Sequence, residues 1–171
     1  FMFSQDGRLF VFTDKENFEF IKNIDDSVKK ATMLVNIFFR DKKDKGGYAY
    51  LGHLQFVSNA FDDEDRKVVG LLHDVIENTV VSKTILLELG FPQHIVDAVC
   101  ILTRSDDVSY DKYIDDIADS NNLIAIDVKM KDLEHNMDIS RIPNPTDEDY
   151  KRMEKYKRSY EKLQDKRSKL C

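Results

Sequence analysis

His73 and Asp74 are adjacent in an apolar stretch, with Val68, Val69, Leu71 and Leu72 before them and Val75 and Ile76 after. A neutral imidazole and a carboxylate are costly to bury unless they are paired or hold a metal ion. Neighbours on a helix lie about 100° apart, so both side chains can leave one edge of a buried face. One turn on, Glu77 and Asn78 fall on the same side. Residues 70–79 therefore read as one helix that offers two metal donors and then a polar pair. A single His-Asp pair is also common as a satisfied helix histidine or a capped turn, so the rest of the chain has to decide between the two.

The elements that would position this pair are helical. Val28, Ala31, Leu34, Val35 and Phe38 recur at three- and four-residue steps. They predict a helix over 25–40, capped by Asp25 or Asp26. The run 41–47 holds three lysines and two glycines and reads as a mobile basic loop, Lys42 and Lys43 included, or as a solvated turn. Helices follow over 48–60, with His53 in the first turn, and from the acidic start at 62 through 79. Gly52 is expected to mark a close backbone approach. Ser82 and Gly90 bracket a short helix, and Pro92 opens another that runs to Arg104. Tyr110, Tyr113, Ile114 and Ile117 share a face. Asn121 or Asn122 starts an apolar helix that carries Asp127, Lys129, Asp132 and Asn136. Asp132 and Asn136 share a face, whereas Asp127 lies about 140° from Asp132. After the break around Arg141, Thr146 or Asp147 starts a charged helix over 149–168 with a narrow apolar stripe, expected at the domain edge.

These elements predict an all-α chain of seven or eight helices. Residues 1–24 form an N-terminal arm or short extended segment, with Leu9-Phe10-Val11-Phe12 as a strand candidate, and 25–171 form one domain. The chain has 171 residues, 42% hydrophobic and 34% charged, which suits one compact domain. Its 26 basic and 32 acidic residues give a net charge of −6, which argues against a dedicated nucleic-acid binder. It leaves room for a local basic pocket. Two cysteines without a Cys-x-x-Cys spacing argue against a disulfide framework or a thiolate zinc site. With no membrane-length apolar run and no signal-peptide pattern, the expected location is cytoplasmic, with no membrane partner. An oligomer is left open.

The ordered set His53, His73-Asp74, Asp132 resembles the HD-domain metal-dependent phosphohydrolases. More of the chain follows in order: Tyr50-Leu-Gly-His53, Leu71-Leu-His-Asp-Val-Ile-Glu-Asn-Thr79, Leu102-Thr-Arg104, Tyr110-x-x-Tyr113 and Val128-Lys-Met-Lys-Asp-Leu-Glu-His-Asn136. This series is similar to the hydrolase domain of the RelA/SpoT family and to the small alarmone hydrolases, over about 31 to 160. The resemblance implies that His53, His73, Asp74 and Asp132 bind one divalent metal, usually Mn2+. Such an ion would acidify a water and polarise a phosphoryl group. It also implies that Lys43 and Asn136 contact a phosphorylated nucleotide. Lys42, Arg104, Lys129 and Arg141 are further phosphate candidates by charge and position.

In one place the chain departs from the family, which has an acidic pair where Glu77 and Asn78 stand. Glu77 can take a proton from water; Asn78 can only hydrogen-bond it. Both remain catalytic candidates. The expected reaction is hydrolysis of the 3′-diphosphate of guanosine tetra- or pentaphosphate. Another nucleotide or an NADPH-like phosphoester, or a weakly active or non-catalytic nucleotide-binding module, are the alternatives. The chain length leaves no room for the synthetase domain of larger members, so activity is expected to be hydrolytic only. His94 is expected at the surface, and His135 is expected to point away from the site.

Overall fold

The computed structural model describes the backbone of residues 15–171, together with one antiparallel pairing of Met2–Phe3 with Leu9–Phe10. Side chains are described from Phe18 onward. Ten α-helices follow: α1 (Lys15–Lys22), α2 (Ser27–Phe39), α3 (Tyr50–Asn59), α4 (Glu64–Leu72), α5 (Val75–Asn78), α6 (Lys83–Glu88), α7 (Gln93–Ile101), α8 (Tyr110–Asp119), α9 (Leu123–Asn136) and α10 (Asp147–Leu170). A 3-10 turn, Ile139–Arg141, joins the last two. The all-α reading holds.

The count exceeds seven or eight for two reasons. Lys15–Lys22 is helical, and its Ile21 is buried in the core, so the second half of the expected arm is an element of the fold. The helix expected across His73-Asp74 is broken there: α4 ends at Leu72, and Asp74 (φ −105°, ψ 0°) starts α5. Neither Gly nor Pro marks that break in the sequence. Leu9 and Phe10 do pair as a strand, whereas Val11 and Phe12 lie outside the described residues.

Local chemistry sets most helix starts. Asp26 accepts from the Lys29 amide at 2.9 Å, Ser82 from Ile85 at 3.3 Å and Asn122 from Ala125 at 3.0 Å. Thr146 and Asp149 satisfy each other's amides in a capping box. Each such cap is worth about 1 kcal/mol. Gly90, at φ +90°, closes α6 as only glycine does without cost.

At the centre α3, α4 and α9 pack on one another; α2 and α7 cover α4, and α10 lies along α9. Leu54, Val57, Val69, Leu72, Ile126 and Leu133 fill the middle. The close backbone approach falls at Gly70 and not at Gly52. A Cβ on Gly70 would stand 2.9 Å from Ser58 Cα, whereas one on Gly52 would meet open space. Gly70 therefore lets α4 lie tight against α3, the helix that carries His53.

The charged α10 is held at the edge of the core by few apolar contacts, with Leu163 buried. Polar ties do the rest. Tyr160 donates to Glu134 at 3.0 Å, and the buried Asp127 carboxylate takes Arg66 of α4 at 2.9 Å and Arg167 of α10. Asp127 thus faces away from Asp132, as their spacing requires. No described helix is long and apolar enough to cross a membrane.

Candidate metal centre

Two helices and the break between two others bring four donors together. His53 comes from the first turn of α3, His73 and Asp74 from the α4–α5 break, and Asp132 from the last turns of α9. His53 Nε2 stands 3.0 Å from Asp132 Oδ1 and 4.0 Å from Asp74 Oδ2. His73 Nε2 is 3.3 Å from Asp74 Oδ2 and 3.6 Å from Asp132 Oδ1. Ligands about 2.1 Å from a common ion stand roughly 3–4 Å from one another, so the spacing fits one divalent ion. Among the described residues, His53, His73 and Asp132 are the group whose donor atoms converge tightly enough to hold a metal, and Asp74 borders it.

The nitrogen of His73 supplies a second test. Its Nδ1 lies 2.6 Å from the Gly70 carbonyl and so carries the hydrogen. Its Nε2 faces the cluster, is buried, and has no hydrogen-bond partner. A bare imidazole nitrogen in a ring of carboxylates is the donor set a divalent cation takes, with the far nitrogen held by a carbonyl.

The electrostatics agree. Burial pushes the His73 imidazolium down, but Asp74 and Asp132 outweigh it and hold its pKa up at about 10. Burial raises Asp132, yet Lys129 and the two histidines hold it well below the usual carboxylate range. With Asp74 and Asp132 ionised, the cluster favours a positive charge beside His73 Nε2, whether a proton or a cation.

The second ring of residues is polar. Tyr50 donates its hydroxyl to Asp74 Oδ2, and burial followed by the Asp74 charge keeps it a phenol. Lys129 Nζ reaches Asp132 Oδ2 at 2.6 Å, and Asn136 Nδ2 donates to Asp132 Oδ1 at 2.8 Å. Both were read from sequence as substrate contacts; here their polar ends are on a donor carboxylate. Glu77 Oε2 accepts from the Arg104 amide at 3.1 Å. Asn78 Oδ1 accepts from Lys42 Nζ at 3.2 Å, and that ammonium also lies 4.7 Å over the Tyr50 ring.

His135 corrects the sequence reading. It was expected to point away, yet its Nδ1 lies 2.7 Å from His53 Nδ1. The spacing that matters is three residues from Asp132, which puts both on one face; the comparison with adjacent Asn136 hides this. His94 is at the surface as expected, 3.0 Å from Asp65.

Two adjoining clefts lie beside the cluster, and the second is lined by two of its carboxylates, Asp74 and Asp132. One, of about 310 Å³, lies under the 41–47 loop and is lined by Lys42, Lys43, Lys45, Arg141 and Arg152 among others. The other, of about 320 Å³, lies over Asp74 and Asp132 and is lined by Glu77, Arg104, Lys129 and Lys155 among others. Tyr50, Asn78, Asn136 and Tyr156 line both. Arg141 is paired with Asp44, and Arg152 with Asp149. Among the described residues Lys43, Lys45, Arg104 and Lys155 form no ion pair. Arg152, Lys155 and Tyr156 were missed from sequence. Their three- and four-residue spacing puts them on one face of α10, but only the packing of α10 on α9 turns that face to the clefts.

Comparison with known proteins adds the fold. A solved structure of a metazoan ortholog of SpoT, described as hydrolysing ppGpp and acting in starvation responses, superposes with a TM-score of 0.66. It covers 84% of this chain and 93% of that one, at 19% identity. The two chains share one fold. No family model matches the sequence, and no curated protein matches it either.

Proposed function

We propose that the protein is a divalent-metal-dependent phosphohydrolase that removes the 3′-diphosphate of guanosine tetra- or pentaphosphate, giving pyrophosphate and GDP or GTP. The observation that carries this reading is a converging His53, His73 and Asp132 group, bordered by Asp74, that faces one cleft and adjoins another, both rimmed by unpaired cations. A cluster alone suits many metal proteins. Cations converging on it call for a polyanion. Lys155 is crowded enough that burial, followed by Arg104 and Arg152, holds it below the usual lysine range. The shared fold with a protein described as hydrolysing ppGpp supplies the substrate class.

His53, His73, Asp74 and Asp132 would hold the ion, with Mn2+ the expected metal. When bound, such an ion supplies Lewis acidity and a more acidic water. Tyr50 orients Asp74, while Lys129 and Asn136 orient Asp132. Glu77 is anchored through one oxygen by the Arg104 amide, and its other oxygen is the acceptor for the proton of the attacking water. Asn78 hydrogen-bonds water and Lys42 without taking a proton. The water oxygen bonds to the phosphorus next to the ribose, the bond from that phosphorus to the 3′ oxygen breaks, and the departing 3′ oxygen takes a proton from solvent, so the nucleotide leaves with a 3′ hydroxyl. Lys43, Lys45, Arg104 and Lys155 stabilise the charge on the transferring group from fixed positions. The free Cys100 and Cys171 suit a reducing compartment such as the cytoplasm.

Product analysis tests the reading. With Mn2+ and guanosine 3′,5′-bis(diphosphate), pyrophosphate and GDP are expected. Orthophosphate from a different phosphoester, with this substrate untouched, would replace it.

A further inference from the structure

We propose that His135 is a positioning residue that fixes the tautomer of His53, and so aims the His53 lone pair at the metal centre. This rests on the reading of His53 as a metal ligand. His53 is 4% exposed, so its Nδ1 needs a protein partner. The partner is His135 Nδ1, at 2.7 Å. The ring planes differ by 19° and the centroids are 4.9 Å apart. Two imidazoles at that separation, with nitrogens 2.7 Å apart, lie edge to edge in nearly one plane. That is the geometry of an N–H···N hydrogen bond and not of a face-to-face stack.

Which nitrogen carries the hydrogen follows from Arg141. Its Nη1 lies 3.0 Å from His135 Nδ1 and 3.2 Å from the His135 carbonyl. A guanidinium only donates, so the tautomer that suits both neighbours is the one whose single lone pair on His135 Nδ1 is shared between Arg141 and His53. The hydrogen between the two rings therefore sits on His53 Nδ1. That leaves His53 Nε2 as the nitrogen that faces Asp132 and Asp74.

Two contacts hold the device. Phe56 lies flat on the His135 ring, with centroids 4.2 Å apart. Asp44 pairs with Arg141 and ties the chain to the lysine-bearing loop. The order Asp44–Arg141–His135–His53 runs from that loop to the metal centre.

The test uses two variants and two readouts. Histidine-15N NMR of the metal-free protein reads the coupling across the Nδ1···Nδ1 bond and the nitrogen that bears the hydrogen. Calorimetry reads Mn2+ affinity without substrate. His135→Phe keeps a ring on Phe56 and removes the acceptor. His135→Asn restores an acceptor, because its amide oxygen stands where Nδ1 does. We expect the hydrogen on His53 Nδ1, an affinity about 10- to 100-fold weaker in His135→Phe, and most of it regained in His135→Asn. The hydrogen on His135 Nδ1, or wild-type affinity in His135→Phe, would overturn the proposal. If His135→Phe does not fold, the wild-type nitrogen spectrum decides. Neither readout involves turnover, so a failed hydrolase assay leaves both standing.

Discussion

Lys129 and Asp132 form a buried pair one turn apart on α9, with Nζ 2.6 Å from Oδ2. The other Asp132 oxygen is turned to the histidines. The pair therefore splits one carboxylate between an internal cation and the metal centre. Breaking a buried pair by removing one member costs about 3 kcal/mol or more, because the remaining charge stays buried. Lys129→Met is expected to lower the metal-free stability by about that amount. A divalent ion should recover part of the loss, since it binds only the folded chain. Thermal melts with and without Mn2+ check both halves.

The tight contact at Gly70 predicts a second effect. On propensity alone, Gly70→Ala would stabilise α4 by about 1 kcal/mol. The added Cβ would meet Ser58 backbone atoms at 2.9 and 3.0 Å, and backbone does not yield cheaply. Overpacking costs about 1–3 kcal/mol, so a net loss is expected. Because the displaced helices carry His53 and lead into His73, Mn2+ affinity should fall as well. Denaturant unfolding and calorimetry measure the two. A more stable Gly70→Ala protein would mean the helices separate freely there.

How much of this was legible depended on distance along the chain. Asp26, Ser82, Asn122 and Thr146 act on amides three residues away, so their residue type and position revealed them. His73 and Asp74 stand out by type in an apolar setting, whereas His53 and Asp132 join them only through the family resemblance. The position of His135 three residues after Asp132, and not its place beside Asn136, is what brings it to His53. An internal ion pair and a free cation look alike in sequence, so type and position alone do not show that Lys129 pairs with Asp132. The break at His73-Asp74 carries no glycine or proline, and the approach of α10 that brings Lys155 and Tyr156 to the clefts is tertiary.

Glu77 and Asn78 are separable. Glu77→Gln should keep the hydrogen bond to the Arg104 amide and Mn2+ affinity but lower kcat by about 10²- to 10⁴-fold. Asn78→Asp should change the rate far less, since Asn78 already holds Lys42 and carries no proton in the reaction. Steady-state kinetics of the two variants decide it. Activity that appears only in Asn78→Asp would mean that Glu77 alone does not supply the base.

Asp127 offers a contrast on the opposite face of α9. Asp127→Ala frees Arg66 and Arg167 at once and unties α4 from α10. We expect about 1–3 kcal/mol of lost stability, with Mn2+ affinity unchanged at temperatures where the variant is folded. Chemical denaturation and calorimetry provide the comparison.

One divalent ion, held by His53, His73, Asp74 and Asp132, is proposed to be required for release of pyrophosphate. The direct measurement titrates Mn2+ into metal-free protein while pyrophosphate release from guanosine 3′,5′-bis(diphosphate) is followed. No release is expected without metal, then a rise that saturates at one equivalent, and none at any metal level in Asp74→Ala. Release that persists in chelator, or a folded, metal-loaded protein that yields no pyrophosphate, would contradict it.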